Sequence, residues 1–373
     1  MILTTLSLLS LAAWIFLTCG RGRFWQLEML PEASEPDHWP GVVAIVPARN
    51  EAGGIGACVE GLLNQAYAGA FRLVVVNDHS DDSTAEEARK AAAQSSRQGA
   101  FTLIDADDLP EGWAGKVWAM HQGVTRGGLN EADTYLWFTD ADIYHDPRVL
   151  RRLVAESEAD GLTLNSRMVM LQCKSLWERL LIPAFVHFFR LLYPFRLVND
   201  PRQKLAGAAG GCMLVQRNRL AQAGGLEQIR DRIIDDCSLA ALLKPHGPIR
   251  LLQTKDSRSL RGYDGPDGIE KMIRRTAYTQ LNHSPAHLVG CLLGLGVVFF
   301  VPVLGTMFWD KAAMVAWLIL SLTYVPMLRY YGQPAWQAVF LPAVALLYLK
   351  ATMESALAYH RGEGGNWKGR NQA

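Results

Sequence analysis

One stretch decides the fold class: Tyr135-Leu136-Trp137-Phe138-Thr139-Asp140-Ala141-Asp142, an apolar run that ends in two aspartates. A short, continuously apolar run predicts a buried β-strand. Similar runs precede it, and each of the four is followed by a helix-forming stretch. Strands and helices that alternate in this way predict an α/β fold with a mostly parallel, doubly wound sheet. The other predicted strands are residues 42–46, 72–76 and 101–104, and the predicted helices are residues 55–65, 83–98, 115–125 and 147–157.

Polar residues gather where these strands end. The first strand runs into Pro47-Ala48-Arg49-Asn50-Glu51, the second into Asn77-Asp78-His79-Ser80-Asp81-Asp82-Ser83-Thr84, and the fourth into the two aspartates. Taken singly, each segment could be a turn or a helix cap. In open α/β sheets, however, ligands bind outside the carboxyl ends of the strands. Polar ends on three strands therefore predict a binding site at one edge of the sheet.

The pair Asp140 and Asp142 predicts a metal site. Residues two apart in an extended chain point to the same side, so the two carboxylates would repel unless a cation lies between them. Mg2+ or Mn2+ fits, because both prefer oxygen ligands and keep phosphate oxygens in their shell. A dinucleotide site is the competing interpretation, but Gly53-Gly54-Ile55-Gly56 lacks the last glycine of the GxGxxG motif.

Two later segments add candidates. Residues 205–215 are glycine-rich and lead into a short predicted strand, where glycine would let a ligand approach the backbone, although a loop without function is an equal alternative. Asp235 and Asp236 precede a helical pattern at residues 237–243. They could be helix caps, or Asp236 could be a general base whose pKa is raised by Asp235.

Composition narrows the class of protein. Among 373 residues, 37 Lys and Arg balance 36 Asp and Glu, so charge gives no reason to expect a nucleic-acid partner. The six cysteines form no CxxC pair and the nine histidines no HExxH pair, which argues against a disulfide framework and a zinc site. We therefore expect the catalytic part to face the reducing cytoplasm.

Both ends of the chain are apolar. Residues 1–20 contain no Asp, Glu, Lys or Arg, and residues 286–357 contain only five. Arg21 and Arg23 follow the first run, which predicts a transmembrane anchor with its amino terminus outside rather than a cleaved signal peptide. Three further transmembrane or re-entrant segments are expected, at residues 287–309, 312–328 and 336–351. Three full spans would place the basic residues after position 360 outside, against the positive-inside rule, so one run could be re-entrant.

The segments between these ends complete the expected organisation. We expect a linker over residues 21–40, a cytoplasmic domain over 41–285 and a polar tail over 358–373. Residues 176–196 are rich in Leu, Phe and Tyr with charges interspersed. They predict an interfacial helix that delivers a lipid to the site, with a buried core helix as the alternative.

Together these motifs resemble family-2 glycosyltransferases, which have the nucleotide-sugar-binding (GT-A-like) fold. The Pro-x-x-Asn-Glu turn, the Asn-Asp-x-Ser-x-Asp-x-Thr segment, the Asp-x-Asp and the later Asp-Asp match that family in order over about residues 40–285. The segment 109–119 is similar to membrane-bound lipid glycosyltransferases, including ceramide glucosyltransferase-like and carotenoid-modifying members. The whole architecture most resembles bacterial hopanoid-associated glycosyltransferases.

The resemblance implies roles for particular residues. Ala48, Glu51 and Asp78 would contact the uridine of a UDP-sugar, and Lys116 would approach its diphosphate or sugar. Asp140 would face the sugar and share with Asp142 the Mg2+ or Mn2+ ion. The remaining assignments are Asp236 as the general base and Arg275, or alternatively Arg274, in place of the family's Gln-x-x-Arg-Trp motif.

The implied activity is inverting transfer of a sugar to a membrane lipid acceptor by a multi-pass protein of the bacterial inner membrane, and the resemblance suggests a hopanoid as the acceptor. The incomplete final motif disfavours processive synthesis. A polyprenyl-phosphate or polysaccharide glycosyltransferase is the alternative enzyme, and a non-catalytic membrane binding module is the alternative of another class.

Overall fold

The computed structural model describes residues 1–28 and 32–364. The predicted succession of strands and helices in the middle of the chain is confirmed, with element ends shifted by a few residues. The strands are β1 Gly41–Ala48, β2 Phe71–Asn77, β3 Phe101–Asp105, β4 Asp133–Phe138, β5 Ile143–His145, β6 Leu164–Met170, β7 Met213–Gln216 and β8 Ile249–Ser259. The helices are α1 Ile2–Cys19, α2 Ile55–Leu63, α3 Thr84–Ala93, α4 Gly115–Arg126, α5 Val149–Asp160, α6 Leu176–Leu192, α7 Phe195–Asn199, α8 Arg217–Gln222, α9 Asp235–Leu243, α10 Pro266–Gln280, α11 Pro285–Leu295, α12 Val301–Met307, α13 Lys311–Tyr330 and α14 Leu341–His360.

The strands form one sheet in the order β3-β2-β1-β4-β7-β6-β8-β5. The first four are parallel neighbours, as expected. β7 then pairs antiparallel with both β4 and β6. This reversal makes the second half of the sheet mixed, and it brings the amino end of β7 to the edge where β1, β2 and β4 have their carboxyl ends.

Each face of the sheet packs against its own layer of helices. Along β1, Val42, Ala44 and Val46 belong to one apolar core, which includes side chains of α2 and α5. Val43 and Ile45 belong to the other, which includes side chains of α4, α6 and α9. The period of two along a strand separates the two cores, and coverage on both faces explains why all of β1 is buried.

Within residues 1–28 and 32–364, four helical segments are long and apolar enough to cross a membrane, which indicates membrane association. They are Ile2–Cys19, Pro285–Met307, Lys311–Tyr330 and Ala335–His360, and we call them the apolar helices. They agree with the four predicted runs. They pack on the α6 side of the sheet, where Tyr324, Met327 and Val344 extend the core formed by α4, α6 and α9.

The last apolar helix starts and ends beside the domain that contains the sheet. At the end of α13, the Lys255 ammonium lies 4.8 Å from the centre of the Tyr330 ring. The chain then moves away, since Trp317 Nε1 donates a hydrogen bond to the carbonyl of Val339 at 3.1 Å. Trp317 lies thirteen residues before Tyr330, or about 20 Å along a helix axis. The intervening residues Ala335–Phe340 form a 3-10 helix.

α14 returns over a similar distance. The Tyr348 hydroxyl donates to the carbonyl of Leu181 in α6 at 3.0 Å. Lys350 and Ser355 then contact α10, through Glu270 at 2.6 Å and through the carbonyl of Arg274 at 2.5 Å. The segment is therefore a re-entrant hairpin in shape. This geometry favours the re-entrant alternative and brings residue 360 to the side of the domain; residues 365–373 of the predicted tail lie outside the described residues.

The predicted interfacial helix corresponds to α6, which packs between the sheet and the apolar helices. Ser175 caps it by accepting a hydrogen bond from the Glu178 amide. The Phe188 ring lies 5.5 Å from that of Phe299 and 4.6 Å from that of Tyr348. Phe188 is therefore partly buried against the core, in agreement with the alternative of a core helix, whereas Leu176 is 76% exposed. A role of α6 at the bilayer surface stays a prediction.

Candidate active site

The turns after β1 and β2 are connected to each other by hydrogen bonds. Because the strands are parallel with Ala48 opposite Asn77, both turns leave the sheet side by side. The Asp78 amide donates to the carbonyl of Ala48 at 2.8 Å, and the Glu51 amide donates to Thr84 Oγ1 at 2.7 Å. The Asp78 side chain is fully buried beneath these turns. The structure thus brings Ala48, Glu51 and Asp78 into one wall.

Lys116 lies among the carboxylates of Asp140, Asp235 and Asp236, which we call the acidic cluster. Its ammonium is 2.7 Å from Asp140 Oδ1 and 2.9 Å from Asp235 Oδ2. Burial alone would raise the pKa of Asp140, but Lys116 and then Arg275 hold it below its usual value. Burial in turn would lower the pKa of Lys116, but its two carboxylate partners hold it above the usual range. This lysine is a fixed cation beside the first aspartate of the Asp-x-Asp motif.

Gly210 lets the catalytic candidates approach one another. Its amide donates to Asp236 Oδ2 at 3.0 Å. A β-carbon at Gly210 would lie 3.0 Å from Lys116 Nζ, 3.6 Å from Asp236 Oδ2 and 3.7 Å from Asp140 Oδ2. Because β7 runs antiparallel to β4, the glycine-rich segment before β7 lies at the edge of the sheet where β1, β2 and β4 end. Gly210 therefore contacts the side chains of the site, which favours a function over the alternative of a plain loop.

Asp236 has the properties of a group that accepts a proton near neutral pH. It lies at the start of α9, where its Oδ1 accepts a hydrogen bond from the Cys237 amide at 2.7 Å. Burial and the adjacent Asp235 raise the pKa of Asp236 to about 6, against the opposing effect of Lys116. Asp235 therefore raises the pKa of Asp236, as the sequence led us to expect.

Arg261 is a site residue that the sequence did not reveal. It follows β8, and its Nε lies 2.7 Å from Asp142 Oδ2 while its Nη2 lies 2.8 and 2.9 Å from the two oxygens of Glu51. One guanidinium thus joins the second aspartate of the motif to the turn after β1. The only sequence signal was a basic residue directly after a strand, and that strand had not been assigned.

Arg275, rather than Arg274, faces the site. It lines a cavity of about 550 Å³ beside the start of α9. Arg274 lies in the contact between α10 and α14, where its carbonyl accepts a hydrogen bond from Ser355. Arg275 also contributes to the lowered pKa of Asp140, so its charge acts within the acidic cluster.

The residues present fit a divalent ion only together with a diphosphate. In the described parts of the chain, no three His, Cys, Asp or Glu side chains form a group that could hold a metal. Asp140 and Asp142 are hard oxygen donors, however, and Mg2+ is commonly bound by one or two carboxylates with phosphates supplying further ligands. Such an ion would compete with Arg261 for Asp142.

Comparison with known proteins identifies the domain that carries this site. Residues 43–223 match the sequence profile of Glycosyl transferase family 2. This match covers just under half of the chain. Asp78, Lys116 and the Asp-x-Asp motif lie within the match, whereas Asp236, Arg261 and Arg275 follow it. The match supports the expected glycosyltransferase and ends at residue 223, before the expected domain end at residue 285.

Two related proteins refine the comparison. A 4,4'-diaponeurosporenoate glycosyltransferase of Staphylococcus aureus (strain USA300) is 32% identical over 137 residues, 36% of this chain and 33% of that protein. The chain thus spans about a third of the length of the curated relatives that it matches. Mannosyltransferase PcManGT from Pyrobaculum calidifontis, solved in complex with GDP-Man and Mn2+, superposes with a TM-score of 0.56 at 18% identity, over 95% of this chain and 99% of that one. This likeness confirms the GT-A-like fold.

Proposed function

We propose that this protein is a membrane-bound inverting glycosyltransferase that moves a sugar from a UDP-sugar to the hydroxyl of a membrane lipid. The supporting observation is the position of Asp236: this carboxylate lies near Lys116 and Asp140, at the edge of the sheet proposed to bind the donor, and its neighbours Cys237 and Ser238 line the cavity that α14 helps to form. The family-2 domain and the carotenoid-type relative support transfer to a lipid-like acceptor. A hopanoid is the acceptor that the sequence resemblance suggests.

The donor would bind along the edge formed by β1, β2 and β4. Ala48, Glu51 and Asp78 would contact the uridine, as the resemblance implies. Lys116, fixed by two carboxylates, would hold the sugar or the diphosphate next to Asp140. A metal ion held by Asp142 and Asp140 would supply neutralisation of the diphosphate charge.

Transfer would then be a single displacement. Asp236, in its deprotonated form, accepts the proton of the acceptor hydroxyl as that oxygen bonds to the anomeric carbon and the bond from this carbon to the diphosphate breaks. A positioned base of this kind contributes about 10²–10⁴ in rate. Arg275 lies where its charge can stabilise the departing diphosphate.

We further propose that the protein is a multi-pass protein of the bacterial inner membrane with its catalytic domain in the cytoplasm. α1 crosses with its amino terminus outside, α11–α12 and α13 cross as a pair, and residues 335–360 re-enter on the cytoplasmic side. This arrangement keeps Lys350, Glu354 and Arg361 at the domain side, in agreement with the positive-inside rule.

The proposal is tested by UDP release from a panel of UDP-sugars, with lipid extracts as acceptors, in the presence and absence of Mg2+ or Mn2+. We expect lipid-dependent release that Asp236→Asn abolishes and that Asp146→Asn, which alters a surface ion pair with Arg258, leaves unchanged. Absence of release with every donor would favour the non-catalytic module. Loss of a glycosylated hopanoid from a deletion strain would identify the acceptor.

A further inference from the structure

We infer that the cavity between α9, α10 and α14 binds the acceptor, and that this acceptor is an uncharged, hydroxyl-bearing membrane amphiphile. The inference rests on the proposed function and adds the location and the chemical class of the second substrate. The cavity measures about 550 Å³, and α14, the returning arm of the re-entrant hairpin, forms one of its walls.

The position of the cavity matches that of an acceptor. Ile234, Cys237 and Ser238 line it, and they flank the proposed base Asp236 on both sides. Arg275, whose charge is proposed to stabilise the departing diphosphate, lines the cavity as well. Asp236 Oδ2 accepts from the Gly210 amide and Oδ1 from the Cys237 amide, and each oxygen keeps a second lone pair with which it could accept the proton of an acceptor hydroxyl.

The cavity also lies at the level where the membrane would begin. α11 starts at Pro285 and α14 ends at His360, and the two neighbouring residues His283 and Tyr359 stack with ring centres 4.1 Å apart. Both residues line the cavity. Because His283 lies just before one apolar helix and Tyr359 at the domain end of another, an amphiphile could place its head in the cavity while its apolar part stays among the apolar helices.

The walls of the cavity indicate an uncharged head. Asp231 and Arg232 lie 3.5 Å apart and balance each other. Burial lowers the pKa of His283, which keeps this ring neutral near pH 7. Arg275 already acts on Asp140 at the donor edge. The described lining therefore offers aromatic rings and amide groups rather than the surplus of cations that a phosphate head requires.

The experiment uses the full chain in vesicles of phosphatidylethanolamine and phosphatidylglycerol, with hexadecanol and a polyprenyl phosphate as alternative acceptors. Two variants change the cavity: Ala241→Trp fills it from α9, and Tyr359→Ala removes its stacked ring. Leu357→Ala is the control, since Leu357 is on α14, 53% exposed and absent from the lining. For each protein, transfer to lipid and hydrolysis of the UDP-sugar by water are measured separately.

We expect both cavity variants to keep UDP binding and hydrolysis while the KM for hexadecanol rises, about three- to tenfold for Tyr359→Ala. Leu357→Ala should match the unchanged chain. Unchanged KM values in both cavity variants would overturn the cavity assignment alone. Preference for the polyprenyl phosphate would overturn the uncharged class, and no transfer or hydrolysis by the unchanged chain would overturn the proposed function instead.

A direct measurement of binding separates these outcomes further. A hexadecanol analogue carrying a diazirine is photo-crosslinked to the unchanged chain, and the labelled peptides are mapped. Labels on α10 and the end of α14 that Ala241→Trp removes support the inference even if no transfer is observed. Labels confined to lipid-exposed positions such as Leu346 and Met353, and insensitive to Ala241→Trp, would refute it.

Discussion

Replacement of Arg261 by Gln should strengthen the binding of a divalent ion in the absence of nucleotide. Arg261 bridges Asp142 and Glu51, so an ion that binds Asp142 in the unchanged protein has to displace the guanidinium first. Arg261→Gln removes that competing cation and leaves both carboxylates in place. Arg261→Lys retains a charge but not the two-armed geometry, and should give an intermediate result.

The magnitude follows from the exposure of the three side chains. Asp142 and Glu51 are 15% and 16% exposed, whereas Arg261 is 38% exposed. A charge-assisted hydrogen bond is worth about 1.5–3 kcal/mol when it is shielded from water, and the exposure of Arg261 reduces this to about 1–2 kcal/mol. Since about 1.4 kcal/mol corresponds to a factor of ten, the affinity for Mn2+ should rise about five- to thirtyfold.

The measurement is a titration of free Mn2+ by electron paramagnetic resonance with detergent-solubilised full chain, without and with UDP. Arg258→Gln serves as a control, because Arg258 pairs with Asp146 on the surface and both side chains are well exposed. The same samples give thermal unfolding curves. Arg261→Gln should unfold at lower temperature than the unchanged protein without metal, and Mn2+ should restore most of the difference.

An affinity for Mn2+ that stays the same or falls in Arg261→Gln would contradict this reasoning. It would mean that Arg261 does not compete with the ion for Asp142, and that the pairing with Asp142 and Glu51 is purely structural.

Three further predictions concern the proposed base Asp236, the glycine-rich segment before β7 and the contact of α14 with α10. Asp236→Asn should lower kcat by a factor of about 10²–10⁴ with little change in the affinity for UDP. In the unchanged protein, kcat/KM should rise as the pH increases through about 6, because the raised pKa keeps Asp236 protonated below that value. Gly210→Ala should weaken donor binding measured by calorimetry, since the methyl group would displace Lys116, whereas Gly99→Ala, which meets nothing within 4 Å, should not. Ser355→Ala should destabilise the protein by about 1 kcal/mol in thermal unfolding, because its hydroxyl bonds both the Tyr278 amide and the Arg274 carbonyl.

The first half of the sheet could be predicted because its signals are local. β1, β2 and β4 are apolar runs buried on both faces, and the polar turns that follow them lie at one edge for a topological reason. β7 could not be oriented from its sequence. The sequence of a four-residue strand carries no signal of its direction in the sheet, and only the pairing with β4 and β6 shows that β7 is antiparallel.

The acidic residues of the candidate site could be named from the sequence, but Arg261 and the pairings between residues could not. Asp140, Asp142 and Asp236 follow from their positions after a strand or before a helix. Their partners come from distant parts of the chain, since the pair of Asp142 and Arg261 spans 119 positions. The path of the last apolar helix could not be predicted either. The composition of a segment indicates whether it is long and apolar enough to cross a membrane, but not whether it turns back.

The apolar core on the α6 side of the sheet is continuous with the apolar helices, since Ile182, Tyr324 and Leu341 belong to one buried cluster. A shortened protein that ends at residue 285 would expose this surface to water. We therefore expect such a fragment to aggregate during expression, and purification of the enzyme to require detergent or nanodiscs even for studies of the nucleotide site alone.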